Sequence, residues 1–124
     1  MVSSPVVNLI VGMGDMLASD DENAQLSTYS LGSCVGVSIY DPVVKVGGLL
    51  HAMLPDSTLN AEKALARPFM FVDTGLPALF HSVYELGGVK SRLITKVAGG
   101  AKVMDEAAHF RIGEQNVAAV KGLL

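Results

Sequence analysis

The first half of the chain is patterned as short strands separated by turns. Apolar, largely β-branched residues fill positions 6–13, and a second short strand is predicted over residues 26–30. From residue 34 to residue 40, large apolar side chains alternate with small or polar ones, which is typical of a strand with one buried face. Asp41 and Pro42 then favour a turn, so residues 47–54 are predicted to return as the second strand of a hairpin.

The second half contains a predicted amphipathic helix. Residues 58–67 are polar and show no clear period. Between residues 76 and 86 the apolar side chains recur at helical spacing, and a glycine pair follows them, which indicates a helix that ends there. Asp73 or Thr74 is suited to cap the start of this helix, and Pro77 would then lie in its first turn.

One more strand and one more helix complete the predicted fold. Alternation over residues 92–98 indicates a strand, and apolar spacing from about residue 114 indicates a helix. The acidic segment 19–25 is predicted to be a loop. Four or five strands, mostly joined as hairpins, together with two helices indicate an α+β fold and not a doubly wound parallel sheet.

Composition narrows the class of protein. A chain of 124 residues suits one domain over residues 1–124. Nine basic against twelve acidic residues give a net charge of −3, which argues against nucleic-acid binding because that function needs a clustered basic face. Half of the residues are hydrophobic and the mean hydropathy is +0.43, so we expect a full core and an apolar patch for a partner.

The same sequence features predict the compartment. The apolar stretches are too short to span a bilayer, and the first ten residues lack the basic flank of a secretory signal. A single cysteine excludes an internal disulfide and a thiolate zinc site. We therefore expect a cytoplasmic protein without membrane insertion.

Motifs for cofactors and metals are weak. Gly12-Met13-Gly14 lacks the third glycine of a dinucleotide loop, and Gly99-Gly100-Ala101-Lys102 lacks the hydroxyl residue that follows the lysine of a phosphate loop. His81 and His109 have no second ligand at metal-binding spacing. We expect no cofactor and no metal site.

Cys34 and His51 are the candidate reactive residues. A plain interpretation stays open for each of them. A lone free cysteine is most often a small buried hydrophobe, and a histidine within an apolar strand is most often a core residue with a hydrogen-bond partner.

The predicted hairpin brings these two residues to one face. If Tyr40 pairs with Gly47, His51 lies opposite Gly36, and Cys34 becomes its diagonal neighbour with backbones ~7–8 Å apart. A slip of one residue would send the two side chains to opposite faces. We expect the sulfur to lie within hydrogen-bond reach of the ring, and Gly36 to leave open space for a substrate.

Such a pair has a defined chemistry. The imidazole can take the thiol proton and lower the pKa of the cysteine, and the thiolate can then attack a carbonyl to form a thioester that water cleaves. A third polar group must orient the ring, and the Thr28 hydroxyl is suited to that role. Gly32 and Ser33, in the turn before Cys34, are weaker candidates for positioning substrate or stabilising an oxyanion with their backbone N–H groups.

These residues lie in segments that resemble the CheD family of chemoreceptor glutamine deamidases. The resemblance rests on TYSLGSCV at residues 28–35, YDP at 40–42 and HAMLP at 51–55. It extends through VGMGD, KVAGGA and IGEQNV, which begin at residues 11, 96 and 112, so it covers nearly the whole chain. The combination of LGSCV with HAMLP at this separation is far more specific than a lone cysteine and histidine.

The resemblance implies a layered α/β/β fold akin to bacterial deamidating toxins, with Cys34, His51 and Thr28 as catalytic residues. It implies hydrolysis of glutamine side chains on the cytoplasmic helices of chemoreceptors, and a CheC-type phosphatase as a second partner. The alternative is a non-catalytic regulatory module that binds such a phosphatase or a receptor. Because members usually continue with strand-forming sequence, we expect the chain to be short at its C-terminus, which would leave an edge strand uncovered.

Overall fold

The computed structural model of the chain describes residues 5–101 and 112–124. These residues form six strands and three α-helices. The strands are β1 (Val7–Ile10), β2 (Asp15–Ser19), β3 (Ala24–Ser27), β4 (Val35–Asp41), β5 (Val46–Ala52) and β6 (Ile94–Gly99). The helices are α1 (Ala61–Ala66), α2 (Val72–Glu85) and α3 (Ile112–Leu123).

Four strands form an antiparallel sheet in the order β2-β5-β4-β6. The β4–β5 hairpin has the register predicted from the sequence, because Tyr40 pairs with Gly47 and Gly36 pairs with His51. Alternation of large and small side chains specifies this register strongly, since a slip of one residue would expose the buried set.

One face of this sheet packs against α2 and α3 and forms the core. Gly48 on β5 permits the close approach of α2, because a Cβ there would lie 2.7 Å from Leu79 Cδ1. Val120 brings α3 into the same cluster. The predicted inward face of β4 is confirmed. The sheet and α2 together contribute ten fully or almost fully buried apolar residues: Val35, Val37, Ile39, Val46, Leu50, Ala52, Val72, Leu76, Leu79 and Val83.

A second, two-stranded sheet lies on the other side. β1 and β3 pair in parallel, with Val7 opposite Ala24, whereas the other strand pairs are antiparallel, as the sequence predicts for most of them. Thr28, just after β3, reaches His51 on β5 and so ties the small sheet to the large one. The α+β class is confirmed, with helices, a four-stranded sheet and a two-stranded sheet in successive layers.

Several predicted elements differ from the structure. The strand β2 and the helix α1 were not expected from the sequence. β2 begins directly after Gly14 and has no clean alternation. α1 has six residues, capped by the Asn60 side chain, which accepts from Lys63 N–H. The helix α2 begins at Val72, before the expected caps. The Asp73 carboxylate accepts from Ser57 and the Thr74 hydroxyl donates to the Pro68 carbonyl, so neither side chain caps the helix. Pro77 therefore lies inside the helix and not in its first turn.

The buried Asp41 carboxylate holds the turn end of the hairpin. It accepts hydrogen bonds from the backbone N–H groups of Val43 and Val89, and from the Arg92 guanidinium at 2.8–3.1 Å. The Arg92 hydrogen bond, followed by the backbone donors, holds the pKa of Asp41 far below its usual range. One carboxylate thus joins the β4–β5 turn to the segment that precedes β6.

Within the described part of the chain, no helix is long and apolar enough to cross a membrane. In the same part, no three His, Cys, Asp or Glu side chains form a group able to hold a metal ion. His81 pairs with Glu85 on the exposed face of α2, and His109 lies outside the described residues.

Candidate active site

His51 is a fully buried polar residue near the end of β5. Its side chain is 0% exposed, between Gly36 on β4 and Asp15 on β2 in the strand register. Its ring Nδ1 lies 2.7 Å from the Thr28 hydroxyl oxygen. The structure therefore brings together the predicted base and the residue expected to orient it.

The hydrogen bonds of Thr28 define the tautomer of His51. The Thr28 hydroxyl lies 2.7 Å from the backbone carbonyl of Val11, and a carbonyl can only accept. Because a hydroxyl has one hydrogen and donates it to Val11, the same oxygen must accept from the ring. Nδ1 of His51 therefore carries the proton, and Nε2 carries an unshared electron pair.

The second ring nitrogen of His51 is unpartnered. Nε2 is buried and has no hydrogen-bond partner among the described residues. Burial lowers the pKa of His51, since a charged imidazolium is poorly solvated there. A neutral imidazole with an unused acceptor is the form that a general base needs.

Cys34 lies at a bend directly before β4. Its backbone N–H donates to the Leu31 carbonyl at 2.6 Å, and its own carbonyl accepts from Gly100 N–H at 2.7 Å. The residue is almost fully buried, at 9% exposure. Cys34 is therefore the residue before β4, and β4 pairs with β5, the strand that carries His51.

The expected hydrogen bond between the thiol and the ring is not formed, since His51 Nε2 has no partner. Strand pairing stops at Val35 and Ala52, so strand geometry no longer determines the direction of the Cys34 side chain. Burial raises the pKa of the Cys34 thiol, with a smaller opposing effect of its own backbone N–H. Burial thus favours the neutral form of both groups, and no contact with the imidazole lowers the pKa of the thiol.

The space beside Gly36 is partly occupied, contrary to the sequence-based expectation. A Cβ at Gly36 would lie 3.3 Å from a Leu31 methyl and 3.8 Å from the Thr28 methyl. The Leu31 side chain thus covers the position that was expected to be open.

Gly32 and Ser33 form the turn between Leu31 and Cys34. Gly32 has a φ of +49°, which glycine adopts without the steric cost of a side chain. The Cys34 N–H is engaged with Leu31, whereas the N–H groups of Gly32 and Ser33 make no hydrogen bond to the described residues. These two groups are chemically able to bind a developing negative charge.

Asn116 is a site residue that the sequence argument missed. It is 0% exposed, and its side-chain amide bonds to the carbonyls of Ser33 and Met53. A signal was present in the sequence, since Asn116 falls on the same helical face as Gly113 and Val120, where an apolar residue is expected.

Comparison with known proteins shows which family the chain resembles. The sequence model of the CheD family, described as CheD chemotactic sensory transduction, matches residues 53–124. A protein of Syntrophus aciditrophicus named probable chemoreceptor glutamine deamidase CheD is 53% identical over 110 residues, which cover 89% of this chain and 69% of that protein.

Two further relatives carry the same name. The protein of Solibacter usitatus is 46% identical over 116 residues, covering 94% of this chain and 69% of the relative. The protein of Pyrococcus horikoshii is 46% identical over 113 residues, covering 90% and 68%. The similarity thus extends over most of this chain and about two thirds of each relative.

Proposed function

The chain belongs to the CheD family, and we propose that it hydrolyses the side-chain amides of glutamine residues in chemoreceptors to glutamate, releasing ammonia. The names of its relatives support this reaction class and its place in chemotaxis. The substrate would be the cytoplasmic helices of the receptors.

The observation that carries the proposal is the state of His51. Thr28 holds the ring with its proton on Nδ1, and Nε2 is left as a buried acceptor without a partner. His51 lies on β5, which pairs with β4. The single cysteine of the chain, Cys34, directly precedes β4. An unpaired buried acceptor is costly for stability, which favours a functional reason for its presence.

We propose that Cys34 is the nucleophile and His51 the general base and acid. The Cys34 proton moves to His51 Nε2 as the sulfur attacks the amide carbon, and the new C–S bond gives a tetrahedral adduct. The protonated Nε2 then gives its proton to the departing nitrogen, so ammonia leaves and a thioester remains. Water loses a proton to Nε2 and cleaves the thioester, which yields glutamate and restores the thiol.

Thr28 would act in this scheme as the residue that orients the base. With its oxygen on Nδ1 throughout, the ring is kept from rotating and its imidazolium form is stabilised. We propose the Gly32 and Ser33 N–H groups as donors to the oxyanion, since the Cys34 N–H is already engaged with Leu31.

The deciding experiment uses receptor cytoplasmic fragments as substrate. Wild-type protein should convert specific glutamines to glutamates, which peptide mass spectrometry detects, and Cys34→Ala should abolish the conversion while the protein stays folded. Ser38→Ala, on β4 four residues after Cys34, is the matched control and should keep full activity. Full activity of Cys34→Ala would reject the mechanism. Binding of a CheC-type phosphatase by an inactive wild-type protein would favour the regulatory module instead.

A further inference from the structure

Asn116 occupies the buried face of α3 between two parts of the proposed active site. It is fully buried, one turn after Gly113 and one turn before Val120. Gly113 lets this end of the helix approach the main chain of residues 100–101, because a Cβ there would overlap the Ala101 carbonyl and lie 2.7 Å from the Gly100 carbonyl. The amide of Asn116 is therefore held in place by close helix-to-strand packing.

The two hydrogens of this amide bond to two different chain segments. Nδ2 donates to the Ser33 carbonyl at 3.0 Å and to the Met53 carbonyl at 2.9 Å. Ser33 directly precedes Cys34, and Met53 follows His51 by two residues. The last paired residues of the hairpin are Val35 and Ala52, so the amide joins the two strands at the point where their own ladder ends.

This position needs two donors on one short side chain. Two carbonyl oxygens face the same site, and a buried carbonyl without a donor is destabilising. An Asp carboxylate here would place its oxygens against the two carbonyl oxygens, and a Leu side chain has no hydrogen-bond donor for them. If the Asn116 amide were flipped, its oxygen would face the two carbonyl oxygens, as an Asp carboxylate would. Nδ2 is therefore assigned to the carbonyls, and Oδ1 has no partner in the described part of the chain.

Other bonds anchor the cysteine turn but do not reach the histidine strand. Ala101 N–H donates to the Gly32 carbonyl, and Gly100 N–H donates to the Cys34 carbonyl. Both hold the turn against the end of β6. Asn116 differs from them because it contacts the turn and the continuation of β5 at the same time.

We propose that Asn116 is a positioning residue that sets the separation between the Cys34 turn and the strand of His51. The proposal rests on the proposed thiol mechanism. Asn116 acts through the Ser33 and Met53 carbonyls, without touching the substrate. A shift of about 1 Å between reacting groups is enough to slow a reaction about a hundredfold.

The test compares Asn116→Leu, close in shape but without donors, with Gln115→Leu, the same change at the adjacent exposed position of α3. On receptor fragments, Asn116→Leu should lower kcat about 10- to 100-fold and leave KM within about twofold. Gln115→Leu should match the wild type. A folded Asn116→Leu with wild-type kcat, or a loss carried entirely by KM, would overturn the proposal.

A second readout needs no receptor. Since Cys34 is the single cysteine, alkylation by iodoacetamide reports on its thiol alone. Release of the turn should expose the thiol, so Asn116→Leu should alkylate faster at neutral pH while it deamidates more slowly. Unchanged alkylation in a folded variant would contradict the proposal.

The two readouts also separate this proposal from the proposed function. If wild-type protein fails to deamidate, the reaction is wrong, and the alkylation arm still tests the role of Asn116. If Asn116→Leu does not fold, Asn116→Gln replaces it, since it keeps both donors but moves them by one methylene group. It should show a lowered kcat with KM unchanged, and wild-type kcat in this variant would reject the proposal.

Discussion

Thr28→Val removes the hydroxyl that orients His51 and retains a side chain of nearly the same shape. In the wild type, the Thr28 oxygen accepts from Nδ1 and donates to the Val11 carbonyl, each at 2.7 Å. Valine breaks both bonds. The Nδ1–H of the fully buried ring then has no hydrogen-bond partner, and the tautomer with the proton on Nδ1 is no longer favoured.

The size of the effect follows from the cost of a buried unpaired group. Removing one partner of a buried hydrogen bond costs about 1–3 kcal/mol. If the active tautomer and orientation lose that amount relative to the alternatives, kcat falls about 5- to 150-fold. The free energy of unfolding should fall by about 2–6 kcal/mol, because the ring Nδ1–H and the Val11 carbonyl both lose their partner, at about 1–3 kcal/mol each.

The assay is deamidation of receptor fragments, with kcat and KM measured separately, and urea unfolding on the same samples. Thr28→Ser keeps the hydroxyl and should retain most activity. Thr95→Val on β6 makes the same chemical change away from the site and should leave kcat unaltered. A folded Thr28→Val enzyme with kcat within twofold of the wild type would refute the orienting role.

Three further predictions concern stability and thiol reactivity. Gly113→Ala should lower the free energy of unfolding by about 1–3 kcal/mol, because the added Cβ overlaps the Ala101 carbonyl. Gly122→Ala in the same helix contacts nothing and should be neutral or stabilising by up to about 1 kcal/mol. Equal urea midpoints of the two variants would contradict this prediction. Burial lowers the pKa of His51, so below about pH 6.5 the unfolded chain takes up a proton that the folded protein resists. Stability should therefore fall as pH drops from 7 toward that lowered pKa, and a His51→Gln variant with an equally steep pH dependence would exclude this cause. Alkylation of Cys34 in the free protein should show a midpoint above the ordinary thiol value of about 8.5, since burial raises its pKa; a midpoint well below it would indicate a preformed thiolate.

The hairpin was predictable because one face of it is buried. Val35, Val37 and Ile39 alternate with smaller or more polar residues, and Asp41-Pro42 starts the turn, so pattern and turn chemistry specify the same register. This register also places Gly36 opposite His51. The sequence alone therefore predicts which residues of the two strands share a face.

The details at the ends of the strands were not predictable in the same way. Cys34 precedes the first paired residue of β4, so its backbone depends on the Leu31 and Gly100 hydrogen bonds and not on strand alternation. Asn116 is 83 residues from Ser33 in sequence, and no local pattern connects them. Contacts of this kind depend on how α3 packs, which the periodicity of one segment does not determine.

The Asp41 carboxylate combines a local and a distant contact at the far end of the hairpin. Its bond to Val43 N–H spans two residues and can form as soon as the turn closes, whereas its bond to Val89 N–H spans 48 residues. Closing the longer loop costs more chain entropy, so we expect that contact to form later in folding. Once formed, the amide proton of Val89 is shielded by a side chain of a distant turn. The hydrogen exchange rate of the Val89 amide therefore depends on opening of the hairpin turn at Asp41 as well as on opening of the segment around Val89.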